Sequence, residues 1–475
     1  MRRRGLVVLL ALGLAACSLP REPLEIAPVA VPALGLADAP APAIAAGWWQ
    51  ALGDPQLDRL VADALAGNPT LAAALARQRE AGSFLAGAEA ARRPQLTGDA
   101  SVQRQRLSDA YIIPPPWGGS TRNIGQAQLN LGWDLDFWGR QAAAVDQASA
   151  AAGAAALDHA AARLALAGSV VQTYIELARA GQRLATALAE LERRGQALAL
   201  VRLRVQNQLD GERAAHSAEI REAQARQELA LAGAQREALL HACALLAGRG
   251  ADYYATLQPP RLALEASLPL PATLPADLLA RRPDILAAQA RIDAAMAGRE
   301  VARTAFYPDI DLMGLAGLQA IDLDRFFSSD AVTYGVGAAV HLPIFDGGRL
   351  RAAYAGASAR ADAAIADYNQ AVLGAVRETA DALARVQGTS TALGAQRDAE
   401  AGAAGIQRLA DTRLAAGLGS KLEQIEADLQ LLGARQATAD LEADQAIARV
   451  RLLLAVGGGF EPASAGTVSD SRSSP

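Results

Sequence analysis

Side chains able to do covalent or metal chemistry are few in this chain and stand apart from one another. The 475 residues include two cysteines, Cys17 and Cys243, and four histidines, His159, His216, His241 and His341, each on a separate segment. A metal site draws its ligands from a cluster of such residues at short, fixed spacings. No such spacing occurs, and surface or wall positions account for the histidines better than ligation. HExxH, GxSxG, a P-loop and a dinucleotide-binding glycine fingerprint are also missing. Neither catalytic residues, nor a metal, nor a cofactor is therefore expected. Forty-five basic against 50 acidic residues, a net charge of −5, exclude a strongly basic nucleic-acid binder. Apolar residues at 51% supply ample side chain to bury, and aromatics at only 4% favour close-packed helices.

Cys17 is the one reactive residue with a context. Arg2, Arg3 and Arg4 precede an apolar run from Leu6 to Ala16. The run is shorter than the ~20 residues a spanning helix needs, and small residues close it, so residues 1–16 read as a secretory signal. The ending Leu14-Ala15-Ala16-Cys17 resembles the bacterial lipobox, whose cysteine is lipidated and becomes the first mature residue. Ser18, where an aspartate would signal retention, is compatible with sorting to the outer membrane. Cys243 is then the only thiol left, so an exported chain holds no internal disulfide. Residues 17–50, rich in proline, read as an extended, lipid-anchored leader.

The elements downstream occur twice. Asn68-Pro69-Thr70-Leu71 is echoed by Arg282-Pro283-Asp284-Ile285, and Arg93-Pro94-Gln95-Leu96 by Tyr307-Pro308-Asp309-Ile310, both 214 positions later. Phe137-Trp138-Gly139-Arg140 meets Asp346-Gly347-Gly348-Arg349, and Ala225-Arg226-Gln227 meets Ala434-Arg435-Gln436, both at 209. A longer first-copy loop containing Pro114-Pro115-Pro116 absorbs the difference. This predicts a duplicated unit, with a first repeat over 51–250, a second over 251–457, and a small, polar, disordered tail over 458–475.

Each copy predicts a helix, two strands around a loop, and a helical hairpin. Helical periodicity runs from about Asp54 to Arg92. Gln128–Phe137 then alternates, every odd position apolar, as does Tyr334–Ile344, which has every even position apolar. Partner strands are expected near Leu96–Arg106 and Ile310–Gln319. Proline-free stretches from Gln141 to about Gln206 and from Arg349 to about Ala416 predict helices of ~100 Å. Tyr174, Leu177, Gly181, Leu184, Leu188 and Leu191 step by three and four, as a coiled-coil seam does, with Leu383, Val386, Ser390 and Leu393 in the second copy. The turns fall at Gln208-Leu209-Asp210-Gly211 and Gly417-Leu418-Gly419-Ser420, and return helices run to about Ala247 and Val456.

Four half-apolar strands cannot close a barrel, and an open sheet edge cannot face lipid. Three copies supply ~12 strands, an even number that leaves an open lumen. The expected fold is mainly α with a small membrane β-barrel: a trimeric, ~12-stranded barrel continued by a long α-helical periplasmic barrel.

The lipobox, Ala280-Arg281-Arg282-Pro283-Asp284, the Tyr307-Pro308 strand entry and Pro343-Ile344-Phe345-Asp346-Gly347-Gly348-Arg349 together resemble the outer-membrane factors. More narrowly, the chain resembles the lipid-anchored TolC/OprM-like (NodT) branch that serves resistance-nodulation-division efflux pumps. It covers roughly residues 17 to 457. It implies no enzyme but a homotrimeric duct in outer-membrane lipid, docked on a periplasmic adaptor (membrane fusion) protein and an inner-membrane efflux pump, passively conducting drugs and toxic compounds. A duct for type I protein secretion and a non-conducting structural envelope lipoprotein are the alternatives. By the same resemblance Gln208, Leu209, Asp210, Gly211, Gly417, Leu418, Gly419 and Ser420 are the periplasmic tips that meet the adaptor. Gln208 stands where the second tip has Gly417, which departs from the pattern. Members of the family close the periplasmic end with charged side chains beyond the second tip, where Lys421, Glu423 and Glu426 stand here. Glu423 and Glu426 are three apart and share one helical face. Three-fold symmetry would gather them into repelling rings.

Overall fold

The computed structural model describes residues 23–30, 34–35, 44–110, 113–264 and 281–460. The expected signal, Cys17 as lipid site, and the expected tail beyond Phe460 lie outside the described residues. Eleven principal elements follow in order: α1 (Pro55–Gly67), α2 (Pro69–Ala91), β1 (Gln95–Arg106), β2 (Thr121–Asp134), α3 (Arg140–Gln206), α4 (Glu212–Leu246), α5 (Pro283–Thr304), β3 (Asp309–Ile321), β4 (Val332–His341), α6 (Arg349–Ala415) and α7 (Lys421–Ala455). The order helix, strand, strand, long helix, turn, helix occurs twice.

One correction concerns the first helical stretch. Instead of one helix from Asp54 to Arg92, two meet at Asn68. The residue before a proline is pushed out of the α region, and Asn68 sits at ψ 123°. Its side-chain oxygen then accepts from the N–H groups of Thr70 at 2.9 Å and Leu71 at 3.2 Å, capping the second helix. A second correction concerns strand ends. β2 stops at Asp134 and β4 at His341, short of Phe137 and Ile344. In the first copy Asp136 turns away to accept from the N–H groups of Gln141 and Ala142, at 3.1 and 2.8 Å. In the second, Pro343 withdraws its donor and Asp346 accepts from Gly348 and Leu350, at 2.9 and 2.7 Å. Both long helices thus begin on an aspartate that closes their free N–H groups.

The chain divides into two compact units, each drawing on both halves of the sequence. The first holds the strands with residues 77–155 and 288–369. Its sheet has the order β1-β2-β3-β4, antiparallel throughout, so the duplication meets at the β2–β3 pair. Gly317 lies where a Cβ would come within 2.2 Å of the Ala127 carbonyl, so the close approach of β2 and β3 needs glycine there.

The second unit holds the remaining helical segments, including residues 156–287 and 370–475. Its core packs Leu57, Leu60 and Val61 of α1 against Val170, Val171, Tyr174 and Ile175 of α3, Leu240 and Cys243 of α4, and Ile447, Val450 and Leu453 of α7. Of the expected seam, Tyr174 and Leu177 are buried here and Leu393 in the second copy, whereas Leu188 is 53% exposed. Burial pushes the Cys243 thiol up to about 12, so it stays protonated and inert.

Asp54 ties this core together. It caps α1 by accepting from Gln56 N–H at 2.9 Å, and it accepts from the buried Tyr174 hydroxyl and from Arg261 N–H, both at 2.8 Å. Burial alone would raise its pKa; the hydrogen bonds from Arg261, Tyr174 and Gln56 outweigh that and hold it below its ordinary 3.8. A depressed carboxylate contributes stability that is fully present above the unfolded value and is lost as pH falls through the folded one. Asp54→Ala is expected to cost about 1–3 kcal/mol at neutral pH, because Tyr174 and the Arg261 N–H lose their acceptor. The cost shrinks as the pH falls below 3.8. Unfolding followed by circular dichroism at neutral and acidic pH checks both.

Candidate functional site

Two places carry the function-bearing chemistry: the faces of the sheet, and the two turns that close the helical hairpins.

The sheet's register sorts its side chains by polarity. Leu96 stands beside Leu131, Ala100 beside Ala127 and Val102 beside Gly125. Across the next pair Leu129 meets Ala316 and Leu131 meets Gly314, and across the last Gly314 meets Val336 and Ala316 meets Tyr334. All of these share one face, and it is apolar on all four strands. Among the described residues Leu323 and Phe326 lie over Gly125 at one end of it, and the rest is largely bare: Tyr334 and Val336 are each 84% exposed. The eleven residues of strand from Ile310 to Ala320 rise about 26 Å at the usual tilt, which matches the ~25 Å apolar band of a membrane barrel. Aromatics flank that band. Trp138 stacks on Tyr307 with ring centroids 4.9 Å apart and donates to the Pro308 carbonyl at 2.8 Å, beside exposed Phe137 and Phe345. Phe326 and Phe327 meet edge to face at the β3–β4 turn.

The opposite face is polar on β1 and β2, whereas β3 adds Met313 and Leu315 to it between Asp311 and Gln319. Gln126 donates to Gln128 at 2.5 Å, Gln128 to Asn130 at 3.0 Å, and Asn130 to Asp99 at 2.7 Å, a ladder that needs water beside it. Where the strands pass into α3, Arg140 bridges Asp134 at 2.6 Å and Asp309 at 3.1 Å, tying the two copies together.

The two hairpin turns have one geometry. Gln208 at φ 59° and Gly417 at φ 71° are both left-handed. Gln208 N–H donates to Val205 and Leu209 N–H to Arg204, at 2.9 and 2.8 Å; Gly417 donates to Leu414 and Leu418 to Arg413, at 3.0 and 2.8 Å. Glutamine therefore replaces glycine without changing the turn, at a cost on the order of 1 kcal/mol for the left-handed residue. Each turn points a leucine outward, Leu209 67% and Leu418 72% exposed. Arg204 forks onto Asp210 at 2.6 and 3.2 Å, and that bond holds the Asp210 carboxyl below the usual range. Gly211 starts α4 with no side-chain cap, whereas Ser420 starts α7 with a full capping box.

The three charged residues beyond the second turn are not equivalent. Glu423 is part of the capping box: its N–H donates to the Ser420 hydroxyl at 3.2 Å and its carboxylate accepts from Ser420 N–H at 3.3 Å. Lys421 donates to Gln424 at 2.5 Å. Glu426 is exposed. Sequence spacing did not reveal a network deeper in the hairpins, where Gln424 and Gln407 donate to Asp411 at 2.5 and 2.6 Å, Gln407 also to Asp428 at 3.3 Å, and Arg193 pairs with Asp428 at 3.2 Å. Only Gln407 and Asp411, four apart on one helix, could have been paired from spacing.

A sheet with one bare apolar face, one polar face and two open edges, joined to long helical hairpins, defines a membrane channel whose wall several chains build together. Comparison with known proteins agrees. The model of the outer membrane efflux protein family matches residues 60–249 and 274–458. The multidrug resistance outer membrane protein MdtP of Shigella flexneri is 31% identical over 426 residues, covering 88% of this chain and 87% of its own length. The fusaric acid resistance protein FusA of Burkholderia cepacia is 35% identical over 318 residues, 66% of this chain and 60% of that protein. Among solved structures, the outer membrane protein VceC of Vibrio cholerae superposes with a TM-score of 0.80 at 32% identity, covering 88% of this chain and all of that one. The Campylobacter jejuni CmeC outer membrane channel, at 24% identity and a TM-score of 0.83, shares the fold.

The chain belongs to the outer membrane efflux protein family. It is an outer-membrane channel of a tripartite efflux system, in which three chains complete a ~12-stranded barrel and a helical tube, and the family is one of channel proteins. The apolar face meets lipid and the polar face lines the lumen. Leu131→Arg, at the middle of the lipid face, is expected to cost ~2–4 kcal/mol per chain and to remove the trimer from outer-membrane fractions. Asn130→Lys, one residue along on the lumen face, leaves the trimer intact; native gels of detergent extracts separate the two results.

Proposed function

We propose that this channel passes small toxic molecules outward, that the turns at Gln208–Gly211 and Gly417–Ser420 seat a periplasmic adaptor, and that Lys421, Glu423 and Glu426 form its periplasmic gate. Lipid on Cys17 anchors the mature chain and its leader in the outer membrane. The observation that carries the reading is the identity of the two turns. Sequences that differ at three of four positions hold the same left-handed geometry and present the same outward leucine. Two copies per chain place six such leucines around a trimer, a repeating apolar foothold for a partner of matching symmetry. Resistance functions named for the relatives FusA and MdtP support drugs and related small compounds as cargo.

The capping role of Glu423 dictates how the gate is tested. Glutamine preserves a capping box while removing charge, so Glu423→Gln with Glu426→Gln changes the ring's electrostatics and keeps the helix start. The double variant is expected to raise leak conductance through trimers reconstituted in planar bilayers, and unchanged conductance removes both residues from the gate. For the anchor, Cys17→Ser is expected to abolish palmitate incorporation while the trimer still forms.

A further inference from the structure

Two cross-strand rows break the polarity of the lumen face. They run through β3 at Met313 and Leu315, successive residues on that face. Met313 has Gly132 on one side and Gly337 on the other, and Leu315 has Asn130 and Gly335. Long side chains with glycine beside them leave a hollow of about 580 Å³ in the wall. Glycine inside a strand costs stability and marks a place where the chain needs either an unusual backbone or space. None of these three glycines has a positive φ. A Cβ at Gly132 or Gly337 would meet nothing within 4 Å, and one at Gly335 would rest against Leu315 at 3.8 Å. Backbone strain and tight strand approach therefore do not call for them, and what the missing side chains supply is room.

The hollow pairs an apolar floor with negative ends. Met313 is 49% exposed and Leu315 39%, so apolar surface is left wet in the wall of an aqueous lumen. The volume falls within the range of about 300–1,000 Å³ usual for a small-molecule site, where apolar lining is combined with a few polar groups. Those groups stand at both ends. Asp311 is one same-face step before Met313 on β3, and Asp99 is one step past the lining Thr97 on β1, each step about 7 Å. Asp99 accepts from the uncharged Asn130 amide at 2.7 Å. Among the described residues, no ion pair is made to either carboxylate. Arg140, where the strands pass into α3, is already shared by Asp134 and Asp309. The charge left uncompensated at the hollow is negative, which draws cations and repels anions. The Met313 thioether adds a favourable contact for the edge of an aromatic ring.

We propose that this hollow is a binding station for lipophilic cations, small molecules whose aromatic or alkyl body covers Met313 and Leu315 while Asp99 and Asp311 hold the charge. The proposal rests on the channel's being a route for small toxic molecules, and it names a class that the barrel wall itself recognises. Three-fold symmetry sets three such stations at one height of the lumen. Binding at an open, water-facing site of this kind is weak enough to release what it holds, as conduction requires.

The test is calorimetric titration of trimers in lipid nanodiscs with tetraphenylphosphonium and with tetraphenylborate, an anion of the same shape. Empty nanodiscs supply the background from partition into lipid. The cation is expected to saturate above that background, at about three per trimer, and the anion is not. Gly337→Leu fills the hollow from an open position and should abolish the saturable signal. Asp99→Asn with Asp311→Asn should weaken the cation several-fold, and added salt should weaken it in the unsubstituted trimer. A native gel confirms that each variant remains a trimer. No saturable cation binding above empty nanodiscs, equal binding of the anion, or a Gly337→Leu trimer that binds like the unsubstituted one overturns the proposal. The expected binding, in a protein whose deletion leaves cells no more sensitive to the same cation, would instead remove the small-molecule cargo and leave the site standing.

Discussion

A backbone N–H or C=O group in hydrocarbon has no water to bond, so a strand at lipid depth must be paired on both sides. Here β2 and β3 are paired on both sides within the chain, whereas β1 and β4 each have one partner and one bare edge. The face the four strands present outward is apolar from Leu96 to Val340, so it belongs in lipid, where those edges cannot stay open. Neighbouring chains must supply the missing partners. An oligomer follows from that requirement, and the three chains of the family's channel meet it.

Duplication supplies each structural solution twice. Asp136 and Asp346 cap the two long helices at their exit from the sheet. Gln208 and Gly417 close the two hairpins in the same left-handed turn. The copies differ in how they are held. The α1–α3–α4 side carries the core around Tyr174 and Asp54, and α7 joins it through Ile447, Val450 and Leu453. Further along, partly exposed pairs such as Arg193–Asp428 take over, each worth roughly 0.2–1 kcal/mol. The buried core keeps the hairpins in register.

Much of this was legible in the sequence, for physical reasons. Period-two alternation over Gln128–Leu135 and Tyr334–Val340 marks a half-lipid strand, because only such a strand needs one face apolar and the other wet. Hydropathy alone points elsewhere: α3 holds a window apolar enough to span a membrane by composition, but that apolarity is largely alanine. Helix ends at Asn68 and the strand end at Asp134 were missed because local side-chain caps, not periodicity, decide them. The left-handed geometry at Gln208 was unreadable, though the turn itself was expected, because glutamine rarely adopts positive φ. Arg193 and Asp428 are 235 positions apart, and no local spacing announces a pair brought together by helix packing. Glu423 shows the opposite failure: its spacing fits a charged ring, but its carboxylate also serves the helix cap.

Backbone hydrogen exchange on the detergent-solubilised, mass-verified particle tests the central requirement most directly. With neighbours closing the wall, the particle is a trimer, and the β1 and β4 amides that have no partner within the chain exchange as slowly as those of β2 and β3. A monomer, or edge amides that exchange at the rate of open chain while the central strands are protected, would contradict it.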